Sequence, residues 1–451
     1  MTTLTLSRAR GPRGLSLFGA ETGAMLRLAA PMTMVALVNM AMSVTDTLMA
    51  AQFGVAGLAA VAIGSDFYSL VFVFAAGTIS GLATLYAAAA EAENTPRLRR
   101  LRAAGWLLAL LLGALLAPLI WTAPGWLGHL GIPSDLLDQG RNYTRAMATT
   151  LLPMLAVAVM RNRLVARERP GAILRVTLGA IPLNAALNRV LMHGVGPWEG
   201  LGITGAGVSS LIVACSIAIA LSVICLRQGD VGADWRAGRE LAEALRLGPP
   251  IGVTMLAELG VFLGATLFAA RFGPEAAAAH ALTLRLAGIV YAVTSGLQQA
   301  ATVRMARQAE AGDPRWPLRA GVRLGLAAGA VNVALLCTIA TPLSRAVFAD
   351  PATAATAAGL ILLLALSEAA APLGAVAAGL MRGLRDTRVP MLFSLGGNWG
   401  VTLPMAVLLA GAGWGVTGLW AALTAGTLAA SLLTTLRLRR HRPAAVLHLQ
   451  T

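Results

Sequence analysis

The sequence predicts an all-α integral membrane protein, with twelve transmembrane helices in two pseudo-symmetric six-helix lobes. Three observations carry that prediction. The 451 residues are 57% hydrophobic and only 12% charged, about half the charged share of a soluble domain. Twelve apolar segments are long enough to cross a bilayer, which takes about 20 residues each. The arginines collect in alternate loops, and the second half of the chain repeats the first.

The segments fall at roughly 25–50, 56–90, 102–123, 136–164, 170–192, 201–226, 241–270, 275–310, 317–343, 353–381, 389–410 and 415–437. The longest must tilt or run out into water. All 35 basic residues are arginine. With the N-terminus inside, the groups at Arg8–Arg27, Arg97–Arg102, Arg161–Arg175, Arg227–Arg246, Arg304–Arg323, Arg382–Arg388 and Arg437–Arg442 all fall on the inner side, as the positive-inside rule requires. Only Arg141, Arg145, Arg189, Arg271, Arg285 and Arg345 fall elsewhere. One helix more or fewer would scramble this alternation. Both termini are therefore expected in the cytoplasm. The net charge of +15 does not mark a nucleic-acid binder, because the arginines alternate by loop and form no single basic face.

The repeat has a fixed register. LRLAAP at 26–31 matches LRLGPP at 245–250, and TLMAAQFG at 47–54 matches TLFAARFG at 266–273. Both pairs share one offset of 219 residues (26 to 245) without a gap. The register runs on to AEAEN at 90–94 against AEAGD at 309–313, and GITG at 202–205 resembles GVTG at 415–418. An offset spanning six helices keeps the orientation, so the halves are parallel repeats, and substrate sites of such proteins lie between repeats. The expected organisation is a tail at 1–24, a first lobe at 25–226, a linker at 227–240, a second lobe at 241–437 and a tail at 438–451. The N-terminal stretch lacks the apolar core of a signal peptide.

Ionisable groups at membrane depth cost about 2.5–3.5 kcal/mol each on insertion scales, so each one raises a functional question. Asp46 lies near the outer end of the first helix. Asn184 and Asn188 lie near the outer end of the fifth, four apart and so on one helix face. A carboxylate with amide oxygens suits a proton or a hard cation such as Na⁺; the asparagines alone would serve equally as interhelical hydrogen-bond glue. Asp46 is replaced by Ala265 in the repeat, so the fold does not require an acid there. Asp66, in the second helix, either joins that cavity or caps an irregularity at Gly64–Ser65. Glu258 and Arg285 lie near mid-depth in helices seven and eight, at the repeat positions of Asn39 and Asp66, and are expected to pair as ions, in a structural or a functional role. Glu368, in helix ten beside Pro372, is a proton carrier or a counter-ion for a cationic substrate. His280, opening helix eight, reads as a cap, and the methionines of MTMVALVNMAM at 32–42 as packing or as an adaptable binding surface. Cys215, Cys225 and Cys337 have no metal-ligand spacing. No phosphate loop, catalytic triad or zinc spacing occurs, which argues against an ATP-driven pump, a lipid enzyme and a resident cofactor.

The stretches AAPMTMVALVNMAMSVTDTLMAAQFGVAGLAAVAIG (30–64), LGAIPLNAALNRVLMHG (178–194), PPIGVTMLAELGVFLGATLFAARFG (249–273), LRLAGIVYAVTSGLQQAATVRMARQAEAGD (284–313) and GLMRGLRDTRVP (379–390), in this order and spacing, resemble the multidrug and toxic compound extrusion (MATE) transporters of the NorM type. The resemblance covers nearly the whole chain. It implies a two-lobed exporter of organic cations and amphipathic drugs, driven by an inward Na⁺ or H⁺ gradient, in the bacterial inner membrane. It maps the acid of the family's TDT motif onto Asp46, the helix-five amides onto Asn184 and Asn188, and the helix-seven acid onto Glu258. Related chains carry an acid where Ala371 stands; Glu368 lies one turn earlier, and its role is not carried over. The expected partners are small cationic or amphipathic molecules and membrane lipids, with no nucleic acid, and the expected state is a monomer. The competing reading is a flippase or an exporter of a lipid-linked or specific metabolite in the same superfamily. It would want a basic cavity, and Arg285 is the only deep arginine.

Overall fold

A computed structural model of the chain describes residues 12–130, 134–229 and 232–440. Most of the two expected tails, 1–11 and 441–451, lies outside the described residues. Among those residues the protein is all-helical, with 12 helices long and apolar enough to cross a membrane. They are α1 (Pro12–Ala51), α2 (Gly54–Glu91), α3 (Thr95–Trp126), α4 (Ser134–Ala166), α5 (Pro170–His193) and α6 (Ile203–Arg227) in the first lobe, and α7 (Gly238–Ala269), α8 (Pro274–Glu310), α9 (Arg315–Val347), α10 (Pro351–Gly383), α11 (Arg388–Gly411) and α12 (Gly415–Arg440) in the second. The exteriors are apolar: Leu115, Val331 and Leu408 are exposed, which is stable only where the solvent is itself hydrocarbon. Twelve passes bring the start of α1 and the end of α12 to the same side.

The helices outrun the apolar segments. α1 begins at Pro12 and α7 at Gly238, ahead of the apolar segments expected from 25 and 241. Two spans are interrupted. α10 breaks at Ala369–Ala370, just before Pro372, which has no N–H to continue the ladder. α11 contains a π-helical turn over Gly396–Val401, of the kind that often marks functional sites. Gly397 there packs against the Gly426 carbonyl.

The lobes meet at two helix crossings in the half nearer the arginine-rich face. In α2 and α7, Gly77 faces Gly252 and Gly81 faces Gly248; a Cβ added to Gly77 would lie 2.7 Å from the Gly252 Cα. Side chains there would force the backbones apart, which is why small residues recur at membrane helix crossings. The second crossing joins α8 to α1, with Gly296 against Ala29 and Thr33. The 219-residue register maps one onto the other: Gly77 onto Gly296, Gly248 onto Ala29 and Gly252 onto Thr33.

Candidate functional site

The expected polar cluster of the first lobe forms. Asn188 Nδ2 donates to Asp46 Oδ1 at 2.5 Å and lies 3.5 Å from Asn184 Oδ1. Asn184 and Asn188 are buried, and the Asn188 Oδ1 atom is enclosed without a hydrogen-bond partner. A buried acceptor left open is costly unless something else uses it. The α1–α5 seam is pinned just beyond by Gln52, bonded to His193 at 2.7 Å, and by the Phe53–His193 ring contact at 5.0 Å. Asp46 Oδ1 and Asn184 Oδ1 thus meet the Asn188 amide nitrogen at the end of the lobe far from the arginine-rich loops. This donor set fits a hard cation or a proton.

Asp66 is exposed, and no cap at a helix irregularity is seen, since α2 runs unbroken through Gly64 and Ser65. Beside it stands a residue that sequence reasoning missed: the buried Tyr143 of α4 packs against α2 at Gly64, two residues before Asp66. Gly64 makes room: a Cβ there would stand 2.9 Å from the Tyr143 ring.

In the second lobe the expected Glu258–Arg285 ion pair does not form. Glu258 accepts instead from the Tyr291 hydroxyl and the Ser394 hydroxyl, each at 3.4 Å. Asn398 supports Ser394 at 3.1 Å, and Trp399 Nε1 donates to the Ala257 carbonyl at 3.1 Å. Asn398 and Trp399 both belong to the π-helical turn, which carries them toward α7. No arginine bonds Glu258 among the described residues; Arg382 of α10 is buried. Arg285 is exposed and has no bonded partner among the described residues. The pairing failed because the repeat register fixes depth along a helix but not the rotation that aims a side chain.

Glu368 is buried at the break of α10 and accepts from Asn332 Nδ2 of α9 at 2.8 Å. His280 is not a cap. Trp420 Nε1 donates to its Nδ1 at 3.1 Å, and its Nε2 lies 3.1 Å from Thr266 Oγ1. An indole N–H can only donate, so Nδ1 is unprotonated and Nε2 carries the hydrogen to Thr266. His280 is thus a neutral strut between α7, α8 and α12. Two of the residues missed here, Tyr143 and Tyr291, shared one signal. The chain has only 4 tyrosines, and a tyrosine in an apolar span needs a partner for its hydroxyl.

Comparison with known proteins gives the architecture a family. The MatE pattern matches residues 31–190 and again 250–408, once in each lobe. The chain belongs to the MatE family. A probable multidrug resistance protein NorM of Deinococcus radiodurans is 35% identical over 407 residues, covering 86% of this chain and 88% of the relative. The Multidrug resistance protein NorM of Burkholderia vietnamiensis is 32% identical, with 89% of each chain covered. Among solved structures, a MATE transporter in the bent conformation matches with TM-score 0.86 at 16% identity, over 98% of this chain and all 100% of its own. The eukaryotic MATE transporter AtDTX14 matches with TM-score 0.83 at 18% identity, over 95% of this chain and 100% of its own. At such identities the structures speak to the fold alone. As a MatE protein the chain is a multi-pass membrane transporter and not an enzyme.

Proposed function

We propose that this MatE protein is an antiporter that exports organic cations and amphipathic drugs in exchange for Na⁺ or H⁺. The observation that carries the reading is Asp46 held by the buried Asn188 amide next to Asn184, with the Asn188 Oδ1 left open. The coupling cation binds at this cluster, with Asp66 joining it from α2. Glu258, Glu368 and the unpaired Arg285 serve the substrate or a coupled proton in the second lobe. The arginine-rich face is the cytoplasmic side of the inner membrane, both termini lie there, and the protein works as a monomer.

Transport proceeds by alternating access of the two lobes. The closest lobe contacts lie in the arginine-rich half, while Asp46 and its amides lie beyond them. This arrangement suits a state closed to the cytoplasm and ready to take the cation from outside. Cation and substrate binding then oppose each other, and that coupling is reciprocal. The test is ethidium efflux from vesicles with Na⁺ and H⁺ gradients imposed separately. Efflux under one gradient establishes the antiporter and names the ion. No efflux under either, with folded protein, overturns the reading in favour of a lipid-linked or specific metabolite substrate.

A further inference from the structure

Two buried carboxylates on the arginine-rich face have no part in either lobe's polar cluster. They are Glu21, in the extension of α1, and Glu240, in the first turn of α7. The 219-residue register places one on the other (21 to 240). Each is held by an arginine of the opposite lobe. Arg304 of α8 grips Glu21 with two bonds, Nε to Oε1 at 2.8 Å and Nη2 to Oε2 at 2.5 Å. Arg100 of α3 holds Glu240 by one bond, Nε to Oε1 at 2.7 Å. The equivalent acids have thus recruited arginines that are not equivalent: the repeat position of Arg304 is Leu85.

Each pair is backed by a second bridge between the lobes. Arg304 also meets Glu168 of the α4–α5 loop, and Arg307 binds Glu91 at 2.7 Å. On the other side Arg97 binds Glu243 at 2.8 Å, and Arg385 holds its second oxygen at 3.1 Å. Both groups stand at the cytoplasmic ends of the two small-residue crossings. The crossings bring the backbones close without side-chain interlock, so specificity for the closed arrangement must come from the charges.

We propose that Glu21 and Glu240 form a duplicated latch that holds the lobes together on the arginine-rich side, and that its two halves differ in strength. The Glu21 half is bidentate and complete. In the Glu240 half, Oε2 is enclosed and has no partner among the described residues. The Glu240 half therefore yields first, and Arg304 bears most of the closure. This rests on the alternating-access reading, since only a transporter that opens on this side needs a latch rather than a weld.

The test uses full-length protein in lipid nanodiscs, with spin labels on cysteines at the exposed positions 93 and 311, one in each lobe, and with Cys215, Cys225 and Cys337 replaced. Arg304→Gln is expected to raise the population of long inter-label distances by about tenfold or more, and Glu21→Gln by somewhat less, since Glu168 keeps part of the grip. Glu240→Gln should raise it by only about two- to threefold, and the Glu21→Gln/Arg304→Gln double variant no more than Arg304→Gln alone. Unchanged distances in all variants overturn the latch; a larger effect from Glu240→Gln than from Glu21→Gln overturns the asymmetry. Should the Arg304 and Glu21 variants not fold, Arg100→Gln and Glu240→Gln decide, and no lengthening in either overturns the latch. Distances are read without transport. A wild type that moves no ethidium while the variants open leaves the latch standing and removes the transport reading alone.

Discussion

In the first lobe the acid stands near the end of α1, at Asp46, and meets only amides; in the second, that register position is Ala265 and the acid sits two turns earlier, at Glu258. Glu258 faces hydroxyls from α8 and α11. The two lobes keep the same helices, the same small-residue crossings and the same latch acids, Glu21 and Glu240. What duplication has preserved is the machinery that packs and closes the lobes. What has diverged is the chemistry each lobe offers to a passenger. An acid among amides with one open acceptor suits a bare cation or proton. An acid among hydroxyls suits a larger and more varied guest.

That division predicts unequal mutational effects. Asp46→Asn should cost the ion-driven efflux rate about 100-fold while folding is kept, because the proposed coupling passes through this carboxylate. Ethidium flux in vesicles at fixed protein content measures it, and near wild-type rates would end the proposed role. Glu258→Gln should act on the substrate instead, weakening apparent drug affinity by about tenfold, the worth of hydrogen bonds to a charged group. If Glu258→Gln abolished ion dependence and Asp46→Asn changed only drug affinity, the assignment of roles would be reversed.

Much of this comparison was legible in the sequence. Composition, twelve apolar runs and the arginine alternation determine the passes, and the 219-residue offset exposes the duplication. The i, i+4 spacing of Asn184 and Asn188 at the depth of Asp46 is enough to bring three polar groups together. Contacts that depend on helix rotation were not legible. The Glu258–Arg285 pair was a statement about depth, and α7 turns Glu258 toward α8 and α11 at Tyr291 and Ser394. Asn332 stands 36 residues from Glu368, in a different helix, with nothing local to announce it. The α10 break and the α11 π turn arise from packing around Pro372 and Gly397. Tyr143 was readable in principle, as a rare phenol in an apolar span, and it was missed.

Stability should follow the same contrast. Asn332→Ala strips a buried carboxylate of its donor and should destabilise the second lobe by about 1–3 kcal/mol. Replacing both Asn332 and Glu368 by leucine should recover most of that, since a buried polar pair is often replaceable as a unit. In the first lobe, Gly64→Ala drives a methyl into the Tyr143 ring, and overpacking of this kind costs about 1–3 kcal/mol. Thermal unfolding in detergent ranks the variants. A Gly64→Ala protein as stable as wild type would mean that α2 and α4 can part at no cost, and that the Tyr143 contact with Gly64 carries no stability.

The smallest expected effect separates two helix caps. In the first lobe α3 is capped by Asn94, whose Oδ1 accepts from the Arg97 backbone N–H at 3.0 Å. In the second, α10 is capped by Asp350, which accepts from the Thr353 hydroxyl at 2.6 Å and the Thr353 backbone N–H at 2.8 Å. These bonds hold the Asp350 carboxyl below its ordinary value of 3.8. A depressed acid stabilises the fold above its unfolded-state pKa, and the contribution is lost as pH falls through the native value. The stability gap between wild type and Asp350→Ala should therefore be flat at neutral pH and close in strong acid. The gap for Asn94→Ala, whose cap does not titrate, should keep its size over the same range. Parallel unfolding curves at neutral and acid pH measure both gaps. An Asp350 gap that did not narrow in acid would mean that the cap works through its shape rather than its charge, and the two lobes would then begin α3 and α10 by the same means.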